Sequence, residues 1–327
     1  MGIRMGSDMK QNSLYTYMLH RMKHLFIRSS LRQLWIGVTY DCQCSCEHCL
    51  IGSELNKKMN ELSRAEIQRI LRDARSLGVR RVSYFGGEPL MRDDLTDLIG
   101  DAHGLGLGTT IFTNGILLGK EYVQRLKGAG LERCNVSLDF PDSQSHDLFR
   151  HYKGCFETAV EGIRLLVDSG ISASIWTHVS KNDVSKNGLK DLKRLIQMGR
   201  DLGVSNVMVL FPYASGKWLC GWDEILTQEE RNRVRELFDP PFVRIEFPDE
   251  MSTCTAGRLF VYIKPQGDVT PCPTVDHAFG NVHKESLRSI IRRIERTYCC
   301  LTSDHHGDCV LNNTSFREKL SLTSFLK

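Results

Sequence analysis

Short apolar runs alternate with helical patterns along most of the chain. The apolar runs, rich in β-branched and aromatic residues, lie at residues 34–40, 81–85, 109–113, 134–139, 171–179 and 206–211. Segments with the apolar period of an amphipathic helix lie between them, at 63–77, 94–104, 119–129, 155–169 and 188–202. Because strands that alternate with helices form parallel βαβ units, the pattern predicts an α/β protein with a partial (β/α)6, TIM-like barrel over residues 34–240.

The pattern changes after Pro240-Pro241, a dipeptide that favours a boundary. A strand is predicted at 242–247, a β-hairpin over 258–270 and a helix at 284–296. We therefore expect a small C-terminal hairpin and helix extension over residues 241–327. Residues 1–33 are a basic lead-in segment, in which 12–30 have the loosely amphipathic pattern of a helix.

Composition and charge narrow the class of protein. The 327 residues are 41% hydrophobic and carry a formal net charge of +4, which permits a large core and does not by itself indicate nucleic-acid binding. The basic stretch at 21–32 is the only support for nucleic-acid modification. No apolar run approaches the roughly 20 residues of a membrane span, and no signal peptide is evident. Twelve cysteines without an export signal favour metal ligation over disulfides, and a cytoplasmic location.

Cys42, Cys46 and Cys49 follow the first apolar run with the spacing C-x3-C-x2-C. Three thiolates at this spacing can hold a cluster of four irons and leave one iron open for a substrate. Structural zinc is the alternative, with Cys44 or His48 as a fourth ligand. We expect Cys44 to point away from the other three and His48 to pack the loop.

Polar residues follow the later predicted strands in the same way. The turn Gly86-Gly87-Glu88-Pro89 follows strand two, and the strand ends that come after it carry Asn114, Ser137, Asp139 and His178. In parallel α/β barrels the active site lies at the C-terminal ends of the strands. We therefore expect these residues around the cysteine loop. Each also has a structural explanation: Gly86-Gly87 could form a tight turn, Asp139 could cap a turn, and His178 could be a core histidine.

The cysteine loop and the Gly-Gly-Glu-Pro turn together resemble the radical S-adenosylmethionine (SAM) superfamily over about residues 34–215. The run Val136-Ser-Leu-Asp-Phe-Pro-Asp142, followed by Arg150, Gly154 and Phe156, resembles the subgroup with SPASM or Twitch extensions. The resemblance implies that Cys42, Cys46 and Cys49 hold a [4Fe–4S] cluster whose open iron chelates SAM. It implies that the turn from Gly86 to Pro89 holds the methionine amine. It also implies contacts to SAM or to its cavity from Asn114, Ser137, Asp139, Arg150 and His178.

A second cysteine set lies in the C-terminal extension. Cys254 and Cys272 have the C-x12-G-x4-C spacing that resembles the opening of a SPASM or Twitch domain. We expect a hairpin to bring Cys272 back beside Cys254, with Gly267 permitting the turn of the hairpin. The chain lacks the C-x2-C-x5-C-x3-C run of full SPASM, so the resemblance implies one auxiliary [4Fe–4S] cluster. We favour Cys300 over Cys299, together with Cys309, as its further ligands. His305, His306 and Asp308 are alternative ligands, for zinc or a Cys3His cluster.

Three cysteines remain, and inert packing is the ordinary role for Cys134, Cys155 and Cys220. Cys220 lies in the run Gly216-Lys-Trp-Leu-Cys-Gly-Trp222, which follows strand six, at the mouth of the predicted barrel. It is therefore a candidate hydrogen-atom donor to a substrate radical. Trp218 and Trp222 are candidates for a substrate wall or for core packing.

The resemblance implies an enzyme that reductively cleaves SAM to a 5′-deoxyadenosyl radical and abstracts hydrogen from a substrate C–H bond. We expect a ribosomally made peptide or a protein side chain as substrate. Oxidation or rearrangement of a small molecule, such as a sugar or a tetrapyrrole, is the alternative. An electron donor such as flavodoxin or ferredoxin is implied. A non-catalytic iron–sulfur or zinc protein is a further alternative, and it would release no 5′-deoxyadenosine.

Overall fold

The computed structural model describes residues 31–219 and 222–322. The predicted lead-in helix at 12–30 and the candidate hydrogen donor Cys220 lie outside the described residues. No side chain is described for Trp222 or for residues 321 and 322. Among the helices of the described part, none is long and apolar enough to cross a membrane.

One sheet runs through the described residues. Its strands are β1 (Gln33–Thr39), β2 (Arg81–Gly86), β3 (Gly108–Thr113), β4 (Arg133–Ser137), β5 (Ser172–His178), β6 (Asn206–Leu210), β7 (Val243–Ile245), β8 (Phe260–Ile263) and β9 (Val269–Thr270). Their order is β7-β6-β5-β4-β3-β2-β1-β8-β9. All neighbours pair in parallel except β8 and β9, which form the antiparallel hairpin. The parallel strands form the predicted partial barrel.

Helices connect the strands. They are α1 (Arg64–Ser76), α2 (Leu95–Gly104), α3 (Lys120–Gly128), α4 (Ser143–Arg150), α5 (Cys155–Ser169), α6 (Lys181–Ser185), α7 (Lys190–Asp201), α8 (Gln228–Arg235), α9 (Leu287–Arg296), α10 (Tyr298–Leu301) and α11 (Thr314–Leu322). The strands and longer helices agree with the sequence pattern to within about three residues at each end. The pattern did not predict the short helices α4, α6, α8, α10 and α11.

Helix α1 shows how the sequence determines these elements. Ser63 caps its first turn by accepting a hydrogen bond from the Glu66 amide, and the Glu66 carboxylate accepts one from the Ser63 amide in return. The buried face is formed by side chains one helical turn apart, namely Ile67, Ile70, Leu71 and Ala74. This face covers the outer side of the sheet.

The side chains of strand β1 point alternately to the two sides of the sheet. Leu34, Ile36 and Val38 are fully buried in the core beneath the helices. Gln33 and Trp35, which alternate with them, line a cavity inside the barrel instead. Because of this alternation, the side chains that line the barrel interior are different from those that form the apolar core. The C-terminal ends of the strands open onto the cavity.

The sheet continues beyond residue 240 at both of its edges. Strand β7 pairs with β6, and β8 pairs with β1 from Gln33 opposite Phe260 to Ile36 opposite Ile263. The hairpin that follows the proposed boundary is therefore part of the barrel sheet. The division of the chain into 1–33, 34–240 and 241–327 stays a prediction.

Candidate functional site

The cysteine loop leaves the C-terminal end of β1 and is tied to the protein on two sides. Asn56 accepts a hydrogen bond from the Cys42 amide at 2.8 Å and donates one to the Cys42 carbonyl at 3.0 Å. On the other side, the amides of Ser45 and Glu47 donate to the carbonyls of Arg150 and Phe149, at 3.2 and 3.1 Å. These contacts hold the loop so that Cys42, Cys46 and Cys49 all line the cavity.

Cys44 does not point away from the triad. Its buried thiol packs with Cys46 and Cys155, and it also lines the cavity. A hydrogen bond from Cys44, with a contribution from the Arg150 guanidinium, lowers the pKa of Cys46 to about 6, although burial opposes the shift. The same neighbour lowers the pKa of Cys42. A lower thiol pKa favours the thiolate, which is the form that ligates a metal.

Arg150 and Asp139 form a buried ion pair behind the cysteine loop. Burial alone would raise the pKa of Asp139, but the Arg150 guanidinium, 2.5 Å away, holds it well below its usual range. Arg150 also donates to the Cys46 sulfur at 3.6 Å and lines the cavity. Asp139 is buried, and its carboxylate accepts a hydrogen bond from the His178 amide at 3.3 Å. Asp139 therefore positions Arg150 and the end of β5.

His48 packs the cysteine loop, as expected. Its ring stacks on Phe149 at 4.9 Å and lies 4.4 Å from the ring of His178. Ligand atoms of His48, Asp139 and His178 lie within 4.8 Å of one another. The Arg150 guanidinium is paired with Asp139, one of these three residues. The positive charge of Arg150 therefore opposes the binding of a metal cation between His48, Asp139 and His178.

The two glycines of the Gly86–Pro89 turn are required by close backbone packing. The amides of Gly87 and Glu88 each donate at 2.8 Å to the carbonyls of Thr39 and Asp41, which lead into the cysteine loop. A Cβ atom at Gly86 would lie 2.2 Å from the Thr39 carbonyl oxygen, and one at Gly87 would lie 2.3 Å from that of Asp41. Both glycines also line the cavity, so the turn presents backbone to any ligand there.

Gly87→Ala is expected to destabilise the protein by about 1–3 kcal/mol, because its methyl group cannot fit beside the Asp41 carbonyl without moving the cysteine loop. Urea unfolding measures the change. The matched control is Gly128→Ala in the last turn of α3, where an added Cβ meets nothing within 4 Å. Equal effects of the two substitutions would contradict the close-packing explanation.

Glu88 does not face the cavity. Its fully buried carboxylate accepts hydrogen bonds from the amides of Leu90 and Asn114, at 3.0 and 2.7 Å, and from the Thr113 hydroxyl at 2.7 Å. Burial raises its pKa to about 7. These contacts fix the end of β3 against the turn and leave the side chain unavailable to an amine in the cavity. Pro89 is likewise buried and begins a short 3-10 helix.

Three other predicted residues line the cavity, namely Asn114, Ser137 and His178. The Asn114 amide nitrogen lies 3.8 Å from the Cys42 sulfur and 3.6 Å from that of Cys44. Burial lowers the pKa of His178 to about 4, so its imidazole is neutral at physiological pH. Trp218 packs at 5.8 Å from His48 and 6.3 Å from His178, over the same end of the barrel.

The second cysteine set lies on the wall of the same cavity. Cys254, Cys272 and Cys309 all line it, and Thr274 shares a hydrogen bond of 2.8 Å with the Cys272 sulfur. Cys300 is not with them: it is exposed, and its thiol donates to the Glu295 carbonyl at 3.8 Å. Because Cys300 lies on the outer side of α10, the preference for it over Cys299 finds no support in its position.

The two donor sets fit iron–sulfur clusters better than zinc. Thiolates about 2.3 Å from one zinc ion lie less than about 4 Å apart. Within residues 31–219 and 222–322, only His48, Asp139 and His178 bring three ligand atoms within 4.8 Å of one another. The sulfurs of each cysteine set are therefore spaced for something wider than a single ion. The cavity between the sets has a volume of about 960 Å³, at the upper end of small-molecule sites.

The comparisons with known proteins agree with this geometry. The sequence model of the radical SAM superfamily matches residues 36–196, and that of the SPASM iron–sulfur cluster-binding domain matches residues 254–309. The chain belongs to the radical SAM superfamily. It is an enzyme of that superfamily with a SPASM iron–sulfur domain, and its cofactors are SAM and iron–sulfur clusters.

Three known proteins illustrate the similarity. An AdoMet-dependent heme synthase of Nitratidesulfovibrio vulgaris is 28% identical over 304 residues, which cover 83% of this chain and 82% of that protein. A PqqA peptide cyclase of Gluconobacter oxydans is 27% identical over 270 residues, covering 77% and 74%. The structure of Streptococcus suis SuiB bound to its precursor peptide SuiA has a TM-score of 0.66 at 18% identity, covering 88% of this chain and 70% of that one, and supports the fold.

Sequence reasoning missed several residues of the cavity, above all Glu246 and Tyr298. A signal for Glu246 was available in the run Val-Arg-Ile-Glu-Phe247, where apolar and charged residues alternate. Since successive side chains of a strand point to opposite faces, that alternation places Arg244 and Glu246 together on the face opposite the core. Nothing comparable in the sequence distinguished Tyr298.

Proposed function

We propose that Cys42, Cys46 and Cys49 hold the SAM-binding cluster, and that Cys254, Cys272 and Cys309 hold the auxiliary cluster. The observation that carries this proposal is that both sets line one cavity. When bound, the reduced cluster and SAM supply a 5′-deoxyadenosyl radical that abstracts hydrogen from a substrate C–H bond. The substrate would lie between the two cysteine sets, where the second set can receive an electron from it.

The remaining residues bind and orient SAM in this proposal. The backbone of Gly86 and Gly87 accepts hydrogen bonds from the methionine amine, since glycine lets a ligand approach the main chain. Arg150 pairs with the methionine carboxylate, and Asp139 positions Arg150. Asn114, Ser137 and His178 line the SAM side of the cavity. Glu88 and Pro89 act indirectly, by fixing the turn.

The proposed substrate is a ribosomally made peptide or a protein side chain. The similarity to a PqqA peptide cyclase over 77% of the chain supports it. The second candidate is a carboxylate-bearing small molecule of the tetrapyrrole type. The greater coverage and identity of the heme synthase favour it.

Reduction of SAM needs one electron from outside this chain, so we propose a low-potential donor such as flavodoxin or ferredoxin. The cytoplasmic location expected from the sequence stays a prediction.

The anaerobically reconstituted protein, given dithionite and SAM, is expected to release 5′-deoxyadenosine and methionine, measured by liquid chromatography and mass spectrometry. Deuterated PqqA peptide and a deuterated propionate-bearing tetrapyrrole are then supplied separately. Deuterium in 5′-deoxyadenosine identifies the class from which hydrogen is abstracted. Absence of 5′-deoxyadenosine in every assay would favour a non-catalytic iron–sulfur protein.

A further inference from the structure

The half of the barrel interior that lies towards the N-terminal ends of the strands is polar. Each of the strands β2 to β5 contributes one buried hydrophilic side chain to the cavity wall there, namely Ser83, Thr110, Asn135 and Ser174. We call the part of the cavity beside these four residues the lower chamber. The interior of a parallel α/β barrel is ordinarily filled by branched apolar side chains. A polar lining beside open space therefore indicates a chamber for a polar ligand.

An aromatic layer lies between the lower chamber and the cysteine loop. Phe85, Phe112 and Trp176 each follow a residue of the polar lining by two positions on the same strand, and all three line the cavity. The ring of Phe112 lies 4.7 Å from that of Trp176 and 4.9 Å from that of Trp35. The residues proposed to bind SAM lie at the C-terminal strand ends, on the other side of this layer, so they do not explain the polar lining.

One hydroxyl of the lower chamber lacks a hydrogen-bond partner. Ser174 and Asn135 satisfy each other, because the Ser174 hydroxyl donates to Asn135 Oδ1 at 2.6 Å. Thr110 is only 4% exposed, and its Oγ1 atom is buried without any partner in the protein. A buried hydroxyl without a partner is costly and indicates a missing ligand or solvent molecule. Thr110 is therefore a donor available to a group in the chamber.

Arginines lie beside this hydroxyl. Arg133 lies directly opposite Thr110 in the pairing of β3 with β4, and neighbouring strands are only about 4.8 Å apart. Arg81 extends across β3, since an added Cβ at Gly108 would lie 2.9 Å from its Nη1 atom. That nitrogen donates at 3.0 Å to Glu132, the residue that precedes Arg133. The register thus brings two guanidinium groups to the start of β4.

A third arginine, Arg244 of β7, lines the same cavity. Partial burial lowers the pKa of Arg133, and the positive charges of Arg81 and Arg244 lower it further, with the Glu132 carboxylate opposing them. The three guanidinium groups are therefore close enough to repel one another. Mutual repulsion of this kind is relieved when an anion binds between the cations.

The cavity wall has more positive than negative groups. One carboxylate, that of Glu246, faces four arginines in the described part of the wall, namely Arg81, Arg133, Arg150 and Arg244. Glu246 accepts a hydrogen bond from the Tyr213 hydroxyl at 2.5 Å. Arg81 is paired with Glu132 and Arg150 with Asp139. Within residues 31–219 and 222–322, Arg133 and Arg244 form no ion pair, so their charges are available to a ligand.

We propose that the lower chamber binds an oxyanion, the phosphate or carboxylate group of a ligand, at Arg133 and Arg244. The Thr110 hydroxyl donates a hydrogen bond to the same group. A guanidinium presents two parallel N–H donors, which match the spacing of phosphate or carboxylate oxygens. Arg133 and Arg244 are exposed, so a dissolved anion reaches them from the N-terminal end of the barrel. The interaction is non-covalent and does not depend on the proposed function.

The test titrates the anaerobically reconstituted full chain with inorganic phosphate and, separately, with succinate, by isothermal titration calorimetry. We expect one saturable site per chain. Arg133→Gln/Arg244→Gln is expected to weaken binding by about tenfold or more, because two charge-assisted hydrogen-bonding groups are lost. Tighter binding of phosphate would identify a phosphate group as the source of the oxyanion, and tighter binding of succinate a carboxylate.

Two variants are matched to this one. Arg288→Gln/Arg292→Gln removes the same charge from exposed positions of α9 that are not in the cavity wall, and is expected to leave the affinity unchanged. Thr110→Val keeps the shape of the side chain and is expected to weaken binding by about threefold or more without loss of stability in urea, since no hydrogen bond within the protein is broken. Absence of saturable binding, or equal weakening by the two arginine double variants, would overturn the proposal. Unchanged affinity in Thr110→Val would overturn the assignment of Thr110 to the anion.

Phenylglyoxal footprinting of the wild type decides the case if circular dichroism shows that Arg133→Gln/Arg244→Gln does not fold. The reagent modifies accessible arginines, and mass spectrometry of the digested protein reports each position. Phosphate or succinate is expected to protect Arg133 and Arg244 and to leave Arg288 and Arg292 reactive. Equal modification of all four with and without the anion would overturn the proposal. These measurements need no SAM cleavage, so their outcome is independent of the 5′-deoxyadenosine assay that tests the proposed function.

Discussion

Cys42→Ala/Cys46→Ala/Cys49→Ala is expected to release no 5′-deoxyadenosine and to bind about half the iron of the wild type. The loop provides the three thiolates at the proposed ligand positions, on one side of the cavity. The second set lies on separate elements and keeps its own iron. Iron analysis and product detection after anaerobic reconstitution measure both effects.

Cys44→Ala is the matched control for this prediction, because Cys44 is a buried thiol of the same loop. It is expected to keep the full iron content, although the pKa of Cys46 rises when the hydrogen bond from Cys44 is lost. An unchanged iron content in the triple variant would rule out the proposed cluster ligands. Loss of iron in Cys44→Ala would instead favour a ligand set that includes Cys44.

Arg150→Ala is expected to destabilise the protein by about 3–5 kcal/mol and to abolish SAM binding. The side chains of Arg150 and Asp139 are only 7% and 1% exposed, so removal of the guanidinium leaves the Asp139 carboxylate buried without its partner. The pKa of Asp139 then rises, because burial is no longer opposed by the positive charge. Denaturant unfolding and equilibrium dialysis with SAM measure the two losses.

Two controls separate the ion pair from general effects. Arg164→Ala removes an exposed partner of Glu161 and is expected to change stability little. The double variant Asp139→Asn/Arg150→Ala is expected to recover part of the lost stability, since no unpaired charge remains. Recovery of stability without recovery of SAM binding would separate the two roles of Arg150. An Arg150→Ala effect no larger than that of Arg164→Ala would contradict the buried-pair explanation.

The fold was predictable because local patterns and packing agree. The six barrel strands are apolar runs bounded by turns, and the helices between them have one apolar face, as in α1 with its Ser63 cap. The short helices α6 and α10 were not predictable, since their five and four residues are too few to show a period. They form where tertiary contacts, such as those of Tyr298, hold the chain.

The position of the site was predictable from the sequence, but the directions in which its side chains point were less so. Strand ends predicted that the two glycines and Asn114 lie at one cavity, and the family resemblance added Arg150. Nothing in the run Gly86-Gly87-Glu88 distinguished a carboxylate that binds a ligand from one that binds Asn114 and Thr113. Adjacent Cys299 and Cys300 posed the same problem. The direction of a side chain on a short helix depends on how that helix docks, which spacing does not specify.

The pairing of β8 with β1 holds the first cysteine loop and the C-terminal cysteine segment next to each other. Strand β1 ends in the first cysteine loop, and β8 lies in the segment that joins Cys254 to Cys272. The Leu259 carbonyl accepts hydrogen bonds from the amides of Arg32 and Gln33 at the start of that ladder. A chain cut at residue 240 would leave β1 as a bare edge strand, open to pairing with other molecules. The SPASM segment thus contributes a strand to the barrel sheet, directly beside the strand that leads into the first cysteine loop.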